Sequence, residues 1–321
     1  MKTLIKLDAT ALSKSSCLTR LYYFAGEGLT FLEPKAEIEF GVAFHKGMEA
    51  YEMASGEDQM MRMFKARSAA VTHWATVNPK VPPEKAHYCA DMLTLLIQKY
   101  ITEVAACDRL VETVIAPDGK PAIEAKFAIP FYSDDDYEVL LCGTIDRIIR
   151  VKSSGLMAIW DYKTTSANKP KAYLDNFKLS GQLRIYQYAA MWMGNNYPEG
   201  VFGEAMKCGQ MGSFIEGVFV RPDPLDVVFQ RSECFFASPA SLNSFISTLQ
   251  ETVLRFLYHH KRGTLSAVRD GILNGSCETM KFGKCDYWGI CINEGNSQAQ
   301  QMIKQNFFKT KQYDPLNFHN A

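Results

Sequence analysis

Two carboxylates and a lysine in the middle of the chain are of the types and spacing that do chemistry. Asp146 lies in Gly143-Thr144-Ile145-Asp146-Arg147, and Asp161 and Lys163 lie in Trp160-Asp161-Tyr162-Lys163-Thr164. Asp161 and Lys163 are two apart, so on a strand they point to the same face. An acid and a lysine side by side on a largely apolar strand are costly unless paired or bound to something. Two readings follow from these residues. One is a divalent cation held by Asp146 and Asp161 with Lys163 beside it; the other is a structural ion pair at a strand end.

Two strands must carry this trio. Val139 to Val151 is apolar and β-rich, Lys152-Ser153-Ser154-Gly155 is turn chemistry, and Leu156 to Tyr162 is a second apolar run. Upstream, Ile123, Ala125, Phe127, Ile129 and Phe131 alternate with Glu124 and Lys126 as a half-buried strand, and Asp134-Asp135-Asp136 reads as a turn. The pattern predicts helices over 10–25, 36–54 and 84–105, the last with Tyr88, Met92, Leu95, Leu96 and Ile101 as its core face. Gly41 and His45 share a face of the second helix. A further helix starts near Gly181, with Gln182 and Tyr186 one turn apart, and runs to Met193. Residues 213–220 and 225–231 read as a hairpin, and Ser238-Pro239 opens a long helix through Leu257. The last 30 residues, rich in Gln and Asn, are expected to be loosely ordered.

Composition narrows the field. Hydrophobic residues make up 47% and charged residues 22% of the 321, ordinary for a globular protein. No run approaches the roughly 20 apolar residues of a membrane span, and the N-terminus lacks a signal-peptide core, so a cytoplasmic protein is expected. Lys plus Arg and Asp plus Glu both number 35, so bulk charge does not advertise nucleic-acid binding. Lys163, Lys169, Lys171, Lys178 and Arg184 could form a local patch, or simply a solvated loop. Nine cysteines in such a chain do not read as disulfides. Cys89, Cys107, Cys142, Cys208 and Cys234 read as inert core thiols.

Taken in order, Gly41-x3-His45, Gly143-x2-Asp146-Arg147, Asp161-x-Lys163-Thr164, Gln182-x3-Tyr186 and a bipartite cysteine set resemble the PD-(D/E)XK nuclease superfamily, in its RecB-like branch of phage and CRISPR-associated iron–sulfur nucleases. The resemblance implies an α/β restriction-endonuclease-like core, a mixed central sheet flanked by helices, over 111–235. An N-terminal helical region over 1–110 would carry Cys17 and His45, and 236–321 would hold the closing helix, cysteines and polar tail. It implies Mg²⁺ or Mn²⁺ held by Asp146, Asp161, His45 and the Tyr162 carbonyl. Lys163 would orient and help deprotonate the attacking water and stabilise transition-state charge, while Gln182 and Tyr186 position the scissile phosphate or Lys163. Glu124 is a supporting residue, and Arg147 a structural partner of an acid.

In that branch one cysteine before the core and three after it hold a [4Fe–4S] cluster, which implies Cys17, Cys277, Cys285 and Cys291 as its ligands. The usual tight first spacing is replaced here by Cys277-x7-Cys285, which leaves room for Zn²⁺ or for no metal. Phe282, Tyr287 and Trp288 would shield a cluster. The expected activity is a metal-dependent exonuclease on single-stranded DNA or DNA ends. The alternatives are a DNA-end-binding or assembly subunit and an endonuclease on structured duplex DNA. No phosphate-loop motif occurs, so a helicase, recombinase or CRISPR integration partner could supply the DNA.

Overall fold

The alternating run from 123 and the apolar run to 165 become long strands of a mixed sheet, in an α/β chain whose helices carry the remaining chemistry. The computed structural model describes residues 2–105, 108, 110–203, 211–277 and 284–316; Cys107, Cys208, Phe282 and most of the insert between Cys277 and Cys285 lie outside them. Among the described residues the strands are β1 (Thr3–Leu7), β2 (Leu29–Phe31), β3 (Val111–Thr113), β4 (Ile123–Ser133), β5 (Tyr137–Val151), β6 (Met157–Thr165), β7 (Gly212–Phe219), β8 (Val228–Arg231) and β9 (Phe308–Thr310). The chain forms two compact units, residues 34–127 with 144–238, and residues 1–33 with 128–143 and 239–321. These units interleave along the chain, whereas the sequence-based division runs in three consecutive blocks.

In the unit of 34–127 and 144–238, β5 runs antiparallel to β6 from Arg147–Trp160 to Arg150–Met157, and β6 runs parallel to β7 from Ala158–Gly212 to Thr165–Phe219. A parallel pair needs a crossover, and the helix Gly181–Asn196 lies in that connection. β3 and β8 pair antiparallel with β5 and β7. Gly155, at φ +72°, makes the β5–β6 turn that Ser153-Ser154-Gly155 predicts. The helix Ala36–Met53 buries Phe40, Phe44 and Met48, spaced four apart, against Leu93, Ile97 and Trp160. The helix Ala90–Tyr100 starts later than expected because Cys89 caps it, its Sγ accepting from the Met92 N–H. Leu95, expected in the core, is exposed.

The helix Gln59–Val77 is absent from the sequence reading. Its inward face is Ala66, Ala70 and Trp74, and with two alanines among three buried positions it raises little apolar signal. Small residues serve here because a Cβ on Gly47 would lie 3.0 Å from the Ala66 carbonyl oxygen, so the helices touch closely.

In the other unit β1 pairs parallel with β5 from Thr3–Tyr137 to Leu7–Leu141, and the helix Pro239–Lys261 forms as expected. The tail corrects the expectation of loose order. Ser297–Phe307 is a helix capped by Asn296, and β9 follows it, pairing antiparallel with β2. That helix buries none of its residues, so composition alone reads it as unstructured. No described helix is long and apolar enough to cross a membrane.

Candidate active site

The backbone ladder between β5 and β6 ends at Arg147–Trp160. Just past it a side chain takes over: the Tyr162 N–H donates to Asp146 Oδ2 at 2.9 Å. That carboxylate oxygen also lies 3.2 Å from His45 Nδ1. Asp161, 1% exposed, presents its carboxylate to Lys163 on the same strand face, with Nζ 2.5 Å from Oδ2. Gln182 Nε2 donates to Asp161 Oδ1 at 3.3 Å and to the Tyr186 hydroxyl at 2.9 Å. Tyr186 is fixed edge-on against Phe127, 5.8 Å between ring centroids.

The glycine of Gly41-x3-His45 has a steric reason. A Cβ at Gly41 would sit 2.7 Å from Thr164 Oγ1, so the histidine helix can lie this close to β6 only without one. His45, Asp146, Asp161, Lys163, Gln182 and Tyr186 therefore come together in one unit. Gln182 contacts Asp161 rather than Lys163. The basic patch is thinner than the sequence suggested: Lys169 and Lys171 are exposed, but Lys178 is paired with Asp175 and Glu233.

Electrostatics separate the two carboxylates. Burial pushes Asp146 up, but the His45 charge and hydrogen bond, with Lys163 and the Tyr162 amide, hold it below the usual carboxylate range. Burial also pushes Asp161 up; Lys163 pulls it down, the negative charge of Asp146 pushes it up again, and it ends above its ordinary value. For Lys163 burial favours the neutral amine, yet Asp161 and Asp146 overcome it and keep the ammonium protonated. His45 is likewise raised, Asp146 outweighing burial.

Asp161 Oδ2 is buried and has the Lys163 ammonium beside it, with no hydrogen bond from any other described group. A buried carboxylate oxygen left so, facing a second carboxylate, fits a hard divalent cation. Among the described residues, however, no three histidine, cysteine or acidic side chains stand as a ready-made metal site.

Glu52 is the residue that sequence reasoning missed. It lies seven positions after His45, two turns along the same helix face, and that spacing was the signal. Its Oε1 pairs with Arg147 Nη1 at 3.0 Å and its Oε2 accepts from Thr113 Oγ1 at 3.0 Å. Arg147 is thus the partner of an acid.

The cysteines divide as expected in part. Burial pushes Cys142 and Cys234 up to about 11, which leaves them protonated and unreactive. Cys17, Cys277, Cys285 and Cys291 form no disulfide and lie in the unit of the chain ends. A carbon added to Gly271 would lie 2.6 Å from Cys277 Sγ and 3.4 Å from Cys17 Cβ, and the Cys285 N–H donates to the Cys277 carbonyl at 3.0 Å. The Cys291 thiol is pushed up to about 11 by burial; Arg269 lowers it, and the charges of Cys285, Cys17 and Cys277 raise it. The four thiols share one neighbourhood without converging on one point.

A comparison with protein families matches the PD-(D/E)XK nuclease superfamily over residues 13–292. Among curated proteins none matches the sequence. The family match spans most of the chain and runs through the whole β5–β6 site, and the chain therefore belongs to the PD-(D/E)XK nuclease superfamily of metal-dependent nucleases.

Proposed function

We propose that the protein is a RecB-like exonuclease that hydrolyses phosphodiester bonds in single-stranded DNA or at DNA ends. The observation that carries this reading is the meeting of His45, Asp146, Asp161 and Lys163 where the β5–β6 ladder ends. Asp146, Asp161, His45 and the Tyr162 carbonyl would hold Mg²⁺ or Mn²⁺. When bound, the ion supplies Lewis acidity to the phosphodiester and to the attacking water. Lys163, held as an ammonium, stabilises the charge that builds on the phosphate oxygens. Gln182 fixes the Asp161 carboxylate, and Tyr186 fixes Gln182.

Cys17, Cys277, Cys285 and Cys291 would hold a [4Fe–4S] cluster, with Zn²⁺ as the alternative; the shared neighbourhood of their thiols supports a four-thiolate group. Its role is structural, since hydrolysis moves no electrons.

The test is cleavage of end-labelled single-stranded DNA with Mn²⁺. Asp161→Ala and Lys163→Ala are expected to lose at least about a hundredfold in rate, on the scale of removing one transition-state stabiliser. Variants that cut as well as wild type would overturn the reading. Circular and linear substrates separate the modes: an exonuclease spares the circle, and an endonuclease opens it.

A further inference from the structure

A cavity of about 360 Å³ lies in the same unit as the candidate active site, and nothing in the proposed hydrolysis uses it. Its walls include Met53, Ile123, Met193, Tyr197 and Phe202, with Lys120 among the few polar residues that line it. Three of these walls, Met53, Ile123 and Met193, lie on elements that already carry the site. Met53 ends the histidine helix, eight residues or about 12 Å beyond His45. Met193 is on the Gln182 helix, seven residues or about 10 Å beyond Tyr186. Ile123 lines both this cavity and the small cleft around His45, Glu124 and Asp146.

Three elements thus lead from the candidate cleavage point to an apolar recess one step away. Phe202 is buried, while Met53 and Tyr197 are about half exposed, at 51% and 54%. Tyr197 is braced edge-on by Trp192, 6.1 Å between ring centroids. A flat aromatic wall, two pliable thioethers and an open mouth suit the π-face of an unpaired base, and stacking of this kind is tolerant of base identity. The volume lies at the lower end of the range for small-ligand pockets. Lys120 at the lining is exposed and paired with Asp118 at 3.9 Å, so the recess recognises its occupant through the apolar and aromatic walls rather than through charge.

We infer that this cavity receives a nucleobase of the single strand being cut, one or two nucleotides from the scissile phosphate, stacked on Tyr197. The inference rests on the nuclease reading and deepens it: a base drawn out of the stack sets the strand's register at the site and favours unpaired DNA over duplex. An apolar side chain of a partner protein is the other chemistry such a recess could take.

The test is binding of short single-stranded oligonucleotides to the full chain in EDTA at one fixed salt concentration, with a single abasic nucleotide moved stepwise along the strand. One position is expected to weaken wild-type binding roughly tenfold, the scale of one lost base stack. Tyr197→Ala should flatten this profile and Tyr197→Phe should keep it. A flat wild-type profile in a protein that binds and cleaves DNA overturns the base pocket while leaving the nuclease standing, and hands the recess to a protein partner. A position-dependent profile unchanged in Tyr197→Ala also overturns it, since another surface then reads the base. A protein that neither binds nor cuts DNA overturns both readings.

Discussion

Glu124 sits on β4 beside the candidate site with a backbone φ of +49°, the left-handed region that L-residues rarely adopt. Its carboxyl is pushed up to about 7, first by burial and then by the charges of Asp146 and Glu49. The folded metal-free protein therefore binds this proton more tightly than the unfolded chain. The resulting stability is full below pH 4.5 and is lost as the pH rises to about 7. Glu124→Gln removes the charge without changing the shape. The variant is expected to be more stable than wild type at pH 8, by up to about 3 kcal/mol, and much closer to it at pH 5. Urea unfolding in EDTA at the two pH values measures this, and an equal gap at both would assign the raised value elsewhere. At the same scale, the chemistry of Asp161 comes from its setting: buried, repelled by Asp146 and balanced by one lysine.

Between elements, the histidine helix is tied to β5 by two polar rungs two helical turns apart, His45–Asp146 and Glu52–Arg147. The second rung lines the same small cleft as the first and is shared with Thr113 on β3 and with Arg62 Nη2, 3.9 Å from Glu52. Removing one member of a buried pair strands the other charge, which costs about 3–5 kcal/mol. Glu52→Ala is expected to destabilise on that scale, while the double variant Glu52→Gln with Arg147→Met recovers much of the loss. Denaturant unfolding of the three proteins tests this. A double variant as unstable as Glu52→Ala would show that packing, not charge, is what the single change removes.

Over the whole molecule, the unit that contains both chain ends is held by contacts other than its cysteines. β2 pairs with β9, the Tyr287 hydroxyl donates to the Leu29 carbonyl at 2.9 Å, Lys304 pairs with Glu27 at 2.5 Å, and the Tyr313 hydroxyl donates to Asp8 at 2.5 Å. Phe308 stacks on both Phe31 and Tyr287. If the four cysteines hold iron and sulfur, protein purified without oxygen is brown with broad visible absorbance. Cys285→Ser is then expected to bleach it but to lower the melting temperature by only about a few degrees, because this clasp remains. Colourless protein with one zinc per chain would replace iron–sulfur by zinc. Global unfolding of the bleached variant would make the cluster, not the clasp, the main tie.

The sequence by itself determined the elements that bear the chemistry. Apolar alternation, the Ser153-Ser154-Gly155 turn and the i, i+4 pairs Gly41–His45 and Gln182–Tyr186 are local signals, and each survives folding because it agrees with the tertiary environment. Only the tertiary structure decided what depends on contacts between distant segments. The helix Gln59–Val77 meets its neighbour through small residues at a close helix contact, and the tail helix Ser297–Phe307 buries none of its residues, so neither is marked by a run of large core side chains. That Glu52 answers Arg147, that Gln182 reaches Asp161 and that Asp161 is pushed above its ordinary value while Asp146 is held below all depend on distance and burial. Residue types and spacing carry neither of those.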